Sequence, residues 1–280
     1  MSLATTADLL ARARSAGVGL PAFNVITLEH AEAIALGAER AGGPAILQIS
    51  ENAVKFHGGQ LGPITAATVA VAQQAEVELS VHIDHVEDAN LLRQAAGTGV
   101  SSAMFDASRL DYAGNVTATR DAVTWAHDNG MLLEAELGEV GGKDGAHAPG
   151  VRTDPTEAVD FVAATGVDAL AVAVGSSHAM LERTATLDLD LIAALARELP
   201  VPLVLHGSSG VPDGTLAEAV GAGMVKINIG TILNVAFTEA VRETLAGDAD
   251  LVDPRRYVKP AREAVADVVA RLVGVIGSPR

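Results

Sequence analysis

The chain has 280 residues, of which 49% are hydrophobic, 19% charged and 3% aromatic, and it contains no cysteine. This length suits one large domain, and the missing cysteine excludes a disulfide framework, a thiolate metal site and a cysteine nucleophile. The formal net charge is −16 and no dense block of lysine or arginine is present, so nucleic-acid binding is not expected. The chain begins without signal-peptide features and has no apolar run of membrane-spanning length, which predicts a cytoplasmic protein that does not associate with a membrane.

Eight short apolar runs, each ending in polar residues or glycine, predict strands that are buried on both faces. These runs are Leu20 to Asn24, Ala45 to Ser50, Leu79 to Asp84, Ser101 to Asp106, Leu132 to Gly138, Ala169 to Gly175, Pro202 to Gly207 and Met224 to Gly230. Segments with helical spacing separate them, among them Glu29 to Ala41, Ala89 to Ala96, Asp154 to Thr165 and Asp213 to Ala222. Asp154 and Pro155 have the order typical of a helix start, and a glycine before several strands predicts a left-handed residue at a helix end.

The repeated unit of strand, polar loop, helix and glycine predicts an α/β fold. Eight such units fit a (β/α)8 TIM barrel better than a doubly wound sheet, which usually has fewer strands and a glycine-rich turn after the first. Residues 1–280 are therefore expected to form a single domain. One additional helix, about Pro260 to Val275, follows the eighth strand and is expected to cover the barrel or a partner subunit.

Three of the eight histidines, His85, His178 and His206, follow predicted strands. In a TIM barrel these positions converge on one site at the carboxyl face. Three neutral imidazoles with an open coordination position form a ligand set typical of catalytic zinc, although a single histidine is more often structural. His30 and His127 lie within helical patterns, and we expect both at the surface.

Asp84 directly precedes His85, where a carboxylate can act as a general acid or base toward a metal-bound substrate. The alternative for Asp84 is a loop cap or a support for a ligand. His82 shares a strand face with Asp84 and is expected inside the barrel, as a donor that supports the site. Lys226 shares a face with Asn228, and an interior structural role is expected for it rather than a Schiff base.

Two short loops, Gly207 to Gly210 and Asn228 to Thr231, follow the seventh and eighth predicted strands. TIM barrels commonly bind phosphate at these positions through backbone N–H groups and hydroxyls. The net negative charge does not oppose this, because local dipoles and cations set the field in a cleft. The loops therefore predict a phosphorylated small-molecule substrate.

These residues resemble the class II, metal-dependent ketose-bisphosphate aldolases, which include the fructose-bisphosphate and tagatose-bisphosphate aldolases. The motifs that carry the resemblance run almost from end to end: 21–24 (PAFN), 48–50 (QIS) with Lys55, 82–85 (HIDH), 134–138 (EAELG) with 141–142 (GG), 174–178 (VGSSH), 205–210 (LHGSSG), 226–231 (KINIGT) and 253–257 (DPRRY). The resemblance implies a lyase with one catalytic zinc ion per chain and a homodimeric or homotetrameric assembly. It also leaves room for a monovalent cation, Na⁺ or K⁺.

By position, the resemblance makes His85, His178 and His206 the zinc ligands. Glu136 matches a carboxylate that approaches an alternative metal position, and Asp84 matches the group that exchanges a proton with the substrate C4 hydroxyl. The resemblance thus assigns the metal-binding and proton-transfer groups to strand ends.

The remaining assignments concern the substrate. Asn24 matches the side chain that orients the dihydroxyacetone-phosphate moiety, and Arg255 is the implied partner of the distal phosphate. The groups implied around that moiety or its phosphate are Ser50, Gly207, Ser209, Asn228, Gly230 and Thr231.

Two positions depart from the family pattern. Ala179 stands where a glycine usually contributes to the phosphate and monovalent-cation site. Asp144 aligns with a glutamate, one methylene longer, that moves the C3 proton from a mobile loop. We assign that role to Asp144, and His147 is the alternative.

The leading interpretation is aldol cleavage of fructose 1,6-bisphosphate to dihydroxyacetone phosphate and glyceraldehyde 3-phosphate. Tagatose 1,6-bisphosphate, which differs in stereochemistry at C4, is a close alternative. A dihydroxyacetone-phosphate-dependent aldolase of sugar or inositol catabolism is another. A non-catalytic subunit that stabilises an aldolase is the contrasting hypothesis, disfavoured because the histidines and Asp84 are all present.

Overall fold

Eight parallel strands form a closed barrel in the computed structural model, which describes residues 3–137, 152–176 and 182–278. Each strand pairs with the next in the chain, and the last pairs with the first to close the ring. The strands are β1 Leu20–Asn24, β2 Ala45–Ser50, β3 Leu79–Val86, β4 Ser102–Phe105, β5 Leu132–Glu136, β6 Ala169–Ala171, β7 Leu203–Leu205 and β8 Met224–Ile229. This is a single-domain TIM barrel, as predicted.

Helices surround the barrel and separate its strands. They are α1 Thr6–Ala16, α2 Leu28–Ala41, α3 Glu51–Phe56, α4 Leu61–Gln74, α5 Ala89–Gln94, α6 Tyr112–Asp128, α7 Pro155–Thr165, α8 Leu189–Glu198, α9 Asp213–Ala222, α10 Thr231–Gly247 and α11 Pro254–Gly277. Within the described ranges, none of these helices has the length and apolar character needed to cross a membrane.

The predicted helix signals work as expected at their termini. The Asp154 side chain accepts a hydrogen bond from the Glu157 N–H, and Pro155 takes the first turn of α7. Gly17 and Gly166 follow helices with φ values of 66° and 73°, in the left-handed region that glycine adopts without steric cost.

The strands β6 and β7 fall furthest short of the apolar runs that predict them. The run 169–175 forms β6 only at Ala169–Ala171, and the run 202–207 forms β7 only at Leu203–Leu205. Residues 172–174 remain buried. Thr153 takes the place of a strand neighbour at Ala173, since its N–H donates to the Ala173 carbonyl and its hydroxyl accepts from the Ala173 N–H. The apolar pattern therefore reports burial rather than strand pairing.

The C-terminal helix α11 is longer than the predicted 260–275. It begins at Pro254, because the Asp253 side chain accepts from the Arg255 N–H and provides a cap upstream. Pro260 lies inside the helix, where it removes one backbone donor without ending it. The helix packs mainly on α2 and α10.

Gly37→Ala is expected to destabilise the protein, because α2 and α11 touch at this glycine. An added Cβ would lie 2.5 Å from the Ala266 carbonyl oxygen and 2.6 Å from the Val269 Cβ. Overpacking of this kind costs about 1–3 kcal/mol.

Gly274→Ala in α11 is the matched control, since no described atom lies within 4 Å of its added Cβ. This control is expected to gain about 0.5–1 kcal/mol in the free energy of unfolding. Urea unfolding measures both variants, and equal midpoints would contradict the contact.

The prediction that His30 lies at the surface is wrong. Its ring is buried and stacks on Phe237, with centroids 5.1 Å apart and an interplanar angle of 16°. Helix α10 covers this face of α2, which local periodicity does not reveal. His127 is partly exposed, as predicted, and its Nε2 lies 2.9 Å from the Asp168 carboxylate.

Burial makes His30 a source of acid sensitivity. Desolvation lowers the pKa of His30 below its ordinary 6.5, and the Glu29 charge opposes this only in part. Below pH 6.5 the unfolded chain therefore binds more protons at this residue than the folded chain does. The stability contributed by neutral His30 is thus fully present above that pH and is lost as the pH falls. We expect His30→Phe to flatten the decline in unfolding free energy between about pH 7 and 5. Urea titrations across this range check it, and parallel declines in both proteins would contradict the prediction.

Candidate active site

A pocket at the carboxyl ends of the strands brings most of the predicted site residues together. Its lining comes chiefly from the ends of β1, β2, β3, β7 and β8 and from the residues that follow them. The predicted residues in it are Asn24, Ser50, Asp84, His85, His206, Gly207, Ser209, Asn228, Gly230 and Thr231.

Asp84 and His85 both line this pocket although they are consecutive in β3. Neighbouring residues of a regular strand point to opposite faces. Here the β3–β4 register shifts between Ile83 and Val86, and His85 has a left-handed backbone with a φ of 49°. The irregularity re-aims the His85 side chain, so that a carboxylate and an imidazole reach the same pocket.

His85 and His206 point one ring nitrogen each at the other. His85 Nε2 and His206 Nδ1 are 3.0 Å apart. The outer nitrogens lie beside carboxylates: His206 Nε2 is 2.9 Å from Glu134 Oε1, and His85 Nδ1 is 3.3 Å from Asp106 Oδ2. Since a carboxylate only accepts, each imidazole places its outer N–H there and turns its other nitrogen inward.

This arrangement fits a metal ion. Two inward-turned nitrogens at such a distance need a proton or a cation between them. Donor atoms of His85, His206 and Asp84 all lie within 4.8 Å of one another. Imidazole nitrogens and a carboxylate oxygen are suitable ligands for zinc, and the carboxylates behind the rings provide the support that such ligands usually have.

Glu136 belongs to a second group of potential metal ligands. Its carboxylate, the Asp106 carboxylate and His85 also have donor atoms within 4.8 Å of one another. Asp106 Oδ1 in addition accepts from the Ser108 N–H and hydroxyl, which fixes the carboxylate beside the histidine. The shared His85 makes this a suitable alternative metal position.

Charges in the site are strongly coupled. Burial opposes ionisation of Asp84, but the positive charge of His85 holds the pKa of this carboxyl well below its ordinary value. Burial likewise opposes protonation of His85, but the Asp84 charge and the Asp106 bond raise the pKa of His85 to about 9. Burial lowers the pKa of His206. One proton is thus shared by the two rings at neutral pH, and metal binding would displace it.

The loops after β7 and β8 are tied together at the other side of the pocket. Gly207 adopts a φ of 66°, and the Ser208 hydroxyl donates to the Asn228 carbonyl. Ser209 Oγ accepts from the Ile232 N–H at the start of α10. Two short backbone segments and a helix N-terminus therefore border one volume, as in phosphate sites of other TIM barrels.

Gln48, Asp106 and Glu134 are among the residues that contact the predicted set and were not assigned roles from the sequence. Gln48 Nε2 donates to Asn24 Oδ1 at 2.5 Å and lies 3.4 Å from Asp84 Oδ2. Period-two alternation could have found two of them, since Gln48 precedes Ser50 and Glu134 precedes Glu136 by two residues on the same strand face.

Gly230→Ala is expected to weaken substrate binding, because a Cβ there would lie 2.6 Å from Asn24 Nδ2 and displace that side chain. We expect KM to rise about 10-fold or more while metal content stays unchanged. Gly214→Ala in α9 is the control, since no described atom lies within 4 Å of its added Cβ. Steady-state kinetics of both variants check this, and an unchanged KM in Gly230→Ala would contradict the role given to Asn24.

Some predicted residues are not in the pocket. Arg255 lies at the start of α11, where its side chain is 89% exposed and its guanidinium pairs with Asp253. The pocket lining contributed by the described residues does not include it. His178, Ala179, Asp144 and His147 lie outside the described residues.

Comparison with known proteins agrees with this geometry. Residues 4–279 match the family model described as fructose-bisphosphate aldolase class-II. A fructose-bisphosphate aldolase of Thermus caldophilus is 38% identical over 99% of this chain and 98% of its own, and a probable fructose-bisphosphate aldolase of Bacillus subtilis is 36% identical over 99% of each. The crystal structure of the YdjI aldolase from Escherichia coli K12 has 30% identity and a TM-score of 0.84, covering 99% of this chain and 98% of that one. The chain belongs to the class-II fructose-bisphosphate aldolase family and is a lyase.

Proposed function

We propose that this enzyme is a zinc-dependent aldolase that cleaves a ketose 1,6-bisphosphate, with fructose 1,6-bisphosphate as the favoured substrate. The products would be dihydroxyacetone phosphate and glyceraldehyde 3-phosphate. The observation that carries the proposal is the convergence of His85, His206 and Asp84 in a pocket bordered by the loops after β7 and β8.

His85 and His206 would hold the metal, together with His178 as the resemblance implies. Glu136 and Asp106 would serve the alternative position beside His85. Bound zinc supplies Lewis acidity that stabilises the electron pair left when the C3–C4 bond breaks.

Asp84 would take the proton from the substrate C4 hydroxyl during cleavage and return it during condensation. Its lowered pKa keeps the side chain ionised, and the ionised carboxylate is the form that can accept a proton. Gln48 and Asn228 orient it, with amide nitrogens 3.4 Å from its two oxygens. In this position Asp84 holds the proton at a defined atom while the bond breaks.

The remaining lining residues would bind the dihydroxyacetone-phosphate half. Asn24, held by Gln48, would orient the moiety, and Ser50 and Asn228, which line the same pocket, would contact it. Backbone N–H groups of the loops after β7 and β8, with the hydroxyls of Ser209 and Thr231, would bind the phosphate. Lys226 is fully buried and donates to Glu134 at 2.6 Å, so it is not placed to form a Schiff base.

The other assignments from the resemblance complete the proposal. Asp144 would move the C3 proton, a monovalent cation would assist phosphate binding, and the enzyme would act in the cytoplasm as a homodimer or homotetramer. Arg255, whose side chain is exposed at the start of α11, would bind the distal phosphate.

A substrate panel tests the proposal. Purified protein with saturating zinc would be incubated with fructose 1,6-bisphosphate, tagatose 1,6-bisphosphate and the corresponding 1-phosphates, and dihydroxyacetone phosphate would be measured by a coupled reductase. We expect the fastest release from fructose 1,6-bisphosphate. A faster reaction with the tagatose epimer or a 1-phosphate would show that fructose 1,6-bisphosphate is the wrong substrate, while the proposed type of reaction would stand. If no compound released dihydroxyacetone phosphate, the proposed reaction would be overturned.

A further inference from the structure

A lysine–glutamate pair lies inside the barrel beneath the pocket. Lys226 Nζ donates to Glu134 Oε2 at 2.6 Å, and Glu134 Oε1 lies 2.9 Å from His206 Nε2. The side chains of all three residues are at most 1% exposed. The carboxylate therefore uses one oxygen for the ammonium and the other for the imidazole.

Stability alone does not account for this pair. Removing two charges from water costs several kcal/mol per ion, and replacing a buried ion pair by apolar residues is often neutral or stabilising. Lys226 also faces His82 Nε2 at 3.3 Å, while His82 Nδ1 is 2.8 Å from the Ser102 hydroxyl. The ammonium thus has acceptors on two sides and can only donate.

We propose that Lys226 and Glu134 are positioning residues that fix which nitrogen of His206 carries its hydrogen. The inference rests on the metal site of the proposed function. An ionised Glu134 accepts the Nε2–H and so presents Nδ1 to the metal. Lys226 keeps the carboxylate in place without touching the metal site.

The lysine has a distinct consequence when Glu134 is replaced by its amide. In Glu134→Gln the ammonium requires an acceptor and so takes the carbonyl oxygen of the glutamine. The amide nitrogen then faces His206 Nε2 and donates to it, which forces the hydrogen of His206 onto Nδ1. That tautomer cannot bind a metal through Nδ1.

The double variant Glu134→Gln with Lys226→Met reverses this constraint. Without the ammonium, the glutamine can turn its oxygen toward His206 and accept the Nε2–H again. The second substitution should therefore repair the first, although each removes a buried polar contact. If the pair were merely structural, the losses caused by the two substitutions would instead add in the double variant.

Two measurements test this. The zinc dissociation constant, from competition with a chromogenic chelator, is expected to rise about 10- to 100-fold in Glu134→Gln and to recover at least several-fold in the double variant. In metal-free protein, long-range ¹H–¹⁵N spectra of the His206 ring are expected to show the Nε2–H form in the wild type, the Nδ1–H form in Glu134→Gln and a return toward Nε2–H in the double variant.

Thr68→Val in α4 is the control, since Thr68 is buried and its hydroxyl donates to the Ile64 carbonyl of the same helix, outside the chain of contacts from Ser102 to Glu134. It is expected to leave the His206 tautomer and zinc affinity unchanged.

Unchanged zinc affinity and tautomer in Glu134→Gln, or a double variant worse than Glu134→Gln, would overturn the inference. If the wild type binds no zinc, the proposed metal site fails, while the tautomer series still decides the inference. In Glu134→Gln and in the double variant, the new side chains are close in size to the native ones. Circular dichroism verifies that both variants fold.

Discussion

Asp84→Asn is expected to lower kcat by about 10²- to 10⁴-fold while zinc remains bound. The amide keeps the size of the side chain and an acceptor oxygen for one of the two amide donors, Gln48 and Asn228, but it cannot accept the C4 hydroxyl proton. Steady-state kinetics together with metal analysis of the same sample measure both quantities. If the variant lost its zinc and regained turnover in excess metal, Asp84 would be a metal support rather than the acid–base group.

Asp106→Asn is the matched control for this prediction. Asp106 stands at the neighbouring strand end and contacts His85 Nδ1 at 3.3 Å. Its loss should weaken zinc binding by about 10- to 100-fold, because His85 loses the carboxylate that orients it. Turnover should be close to that of the wild type once zinc is saturating. Equal losses of kcat in both variants would remove the distinction between proton transfer and ligand support.

Metal removal is expected to have the largest effect, the loss of all measurable cleavage. Without the cation, nothing among the described pocket residues stabilises the electron pair left at C3, since the lining contains neither lysine nor arginine. Dialysis against a chelator followed by zinc addition measures loss and recovery. A borohydride treatment with substrate serves as the control and should not inactivate the enzyme. Persistent activity in metal-free protein, or covalent trapping, would replace the metal mechanism with a Schiff base.

The sequence predicted the barrel and most of the pocket because both depend on local signals. Apolar runs define the strands, and polar residues at their ends must meet once the strands are parallel. The burial of His30 depends on how α10 packs on α2, and such a long-range contact has no local signature. Regular alternation would also have turned His85 away from Asp84, whereas the register shift in β3 brings them together.

The left-handed backbone of His85 sets folding stability against activity at one residue. A residue other than glycine in this conformation lowers the free energy of unfolding by roughly 1–2 kcal/mol, a cost that glycine avoids. Selection for stability alone would therefore favour glycine at position 85 and would delete a proposed metal ligand. Sequence optimisation that scores only how well residues suit the backbone will erase the site at this position, and redesign of this barrel has to hold His85 fixed.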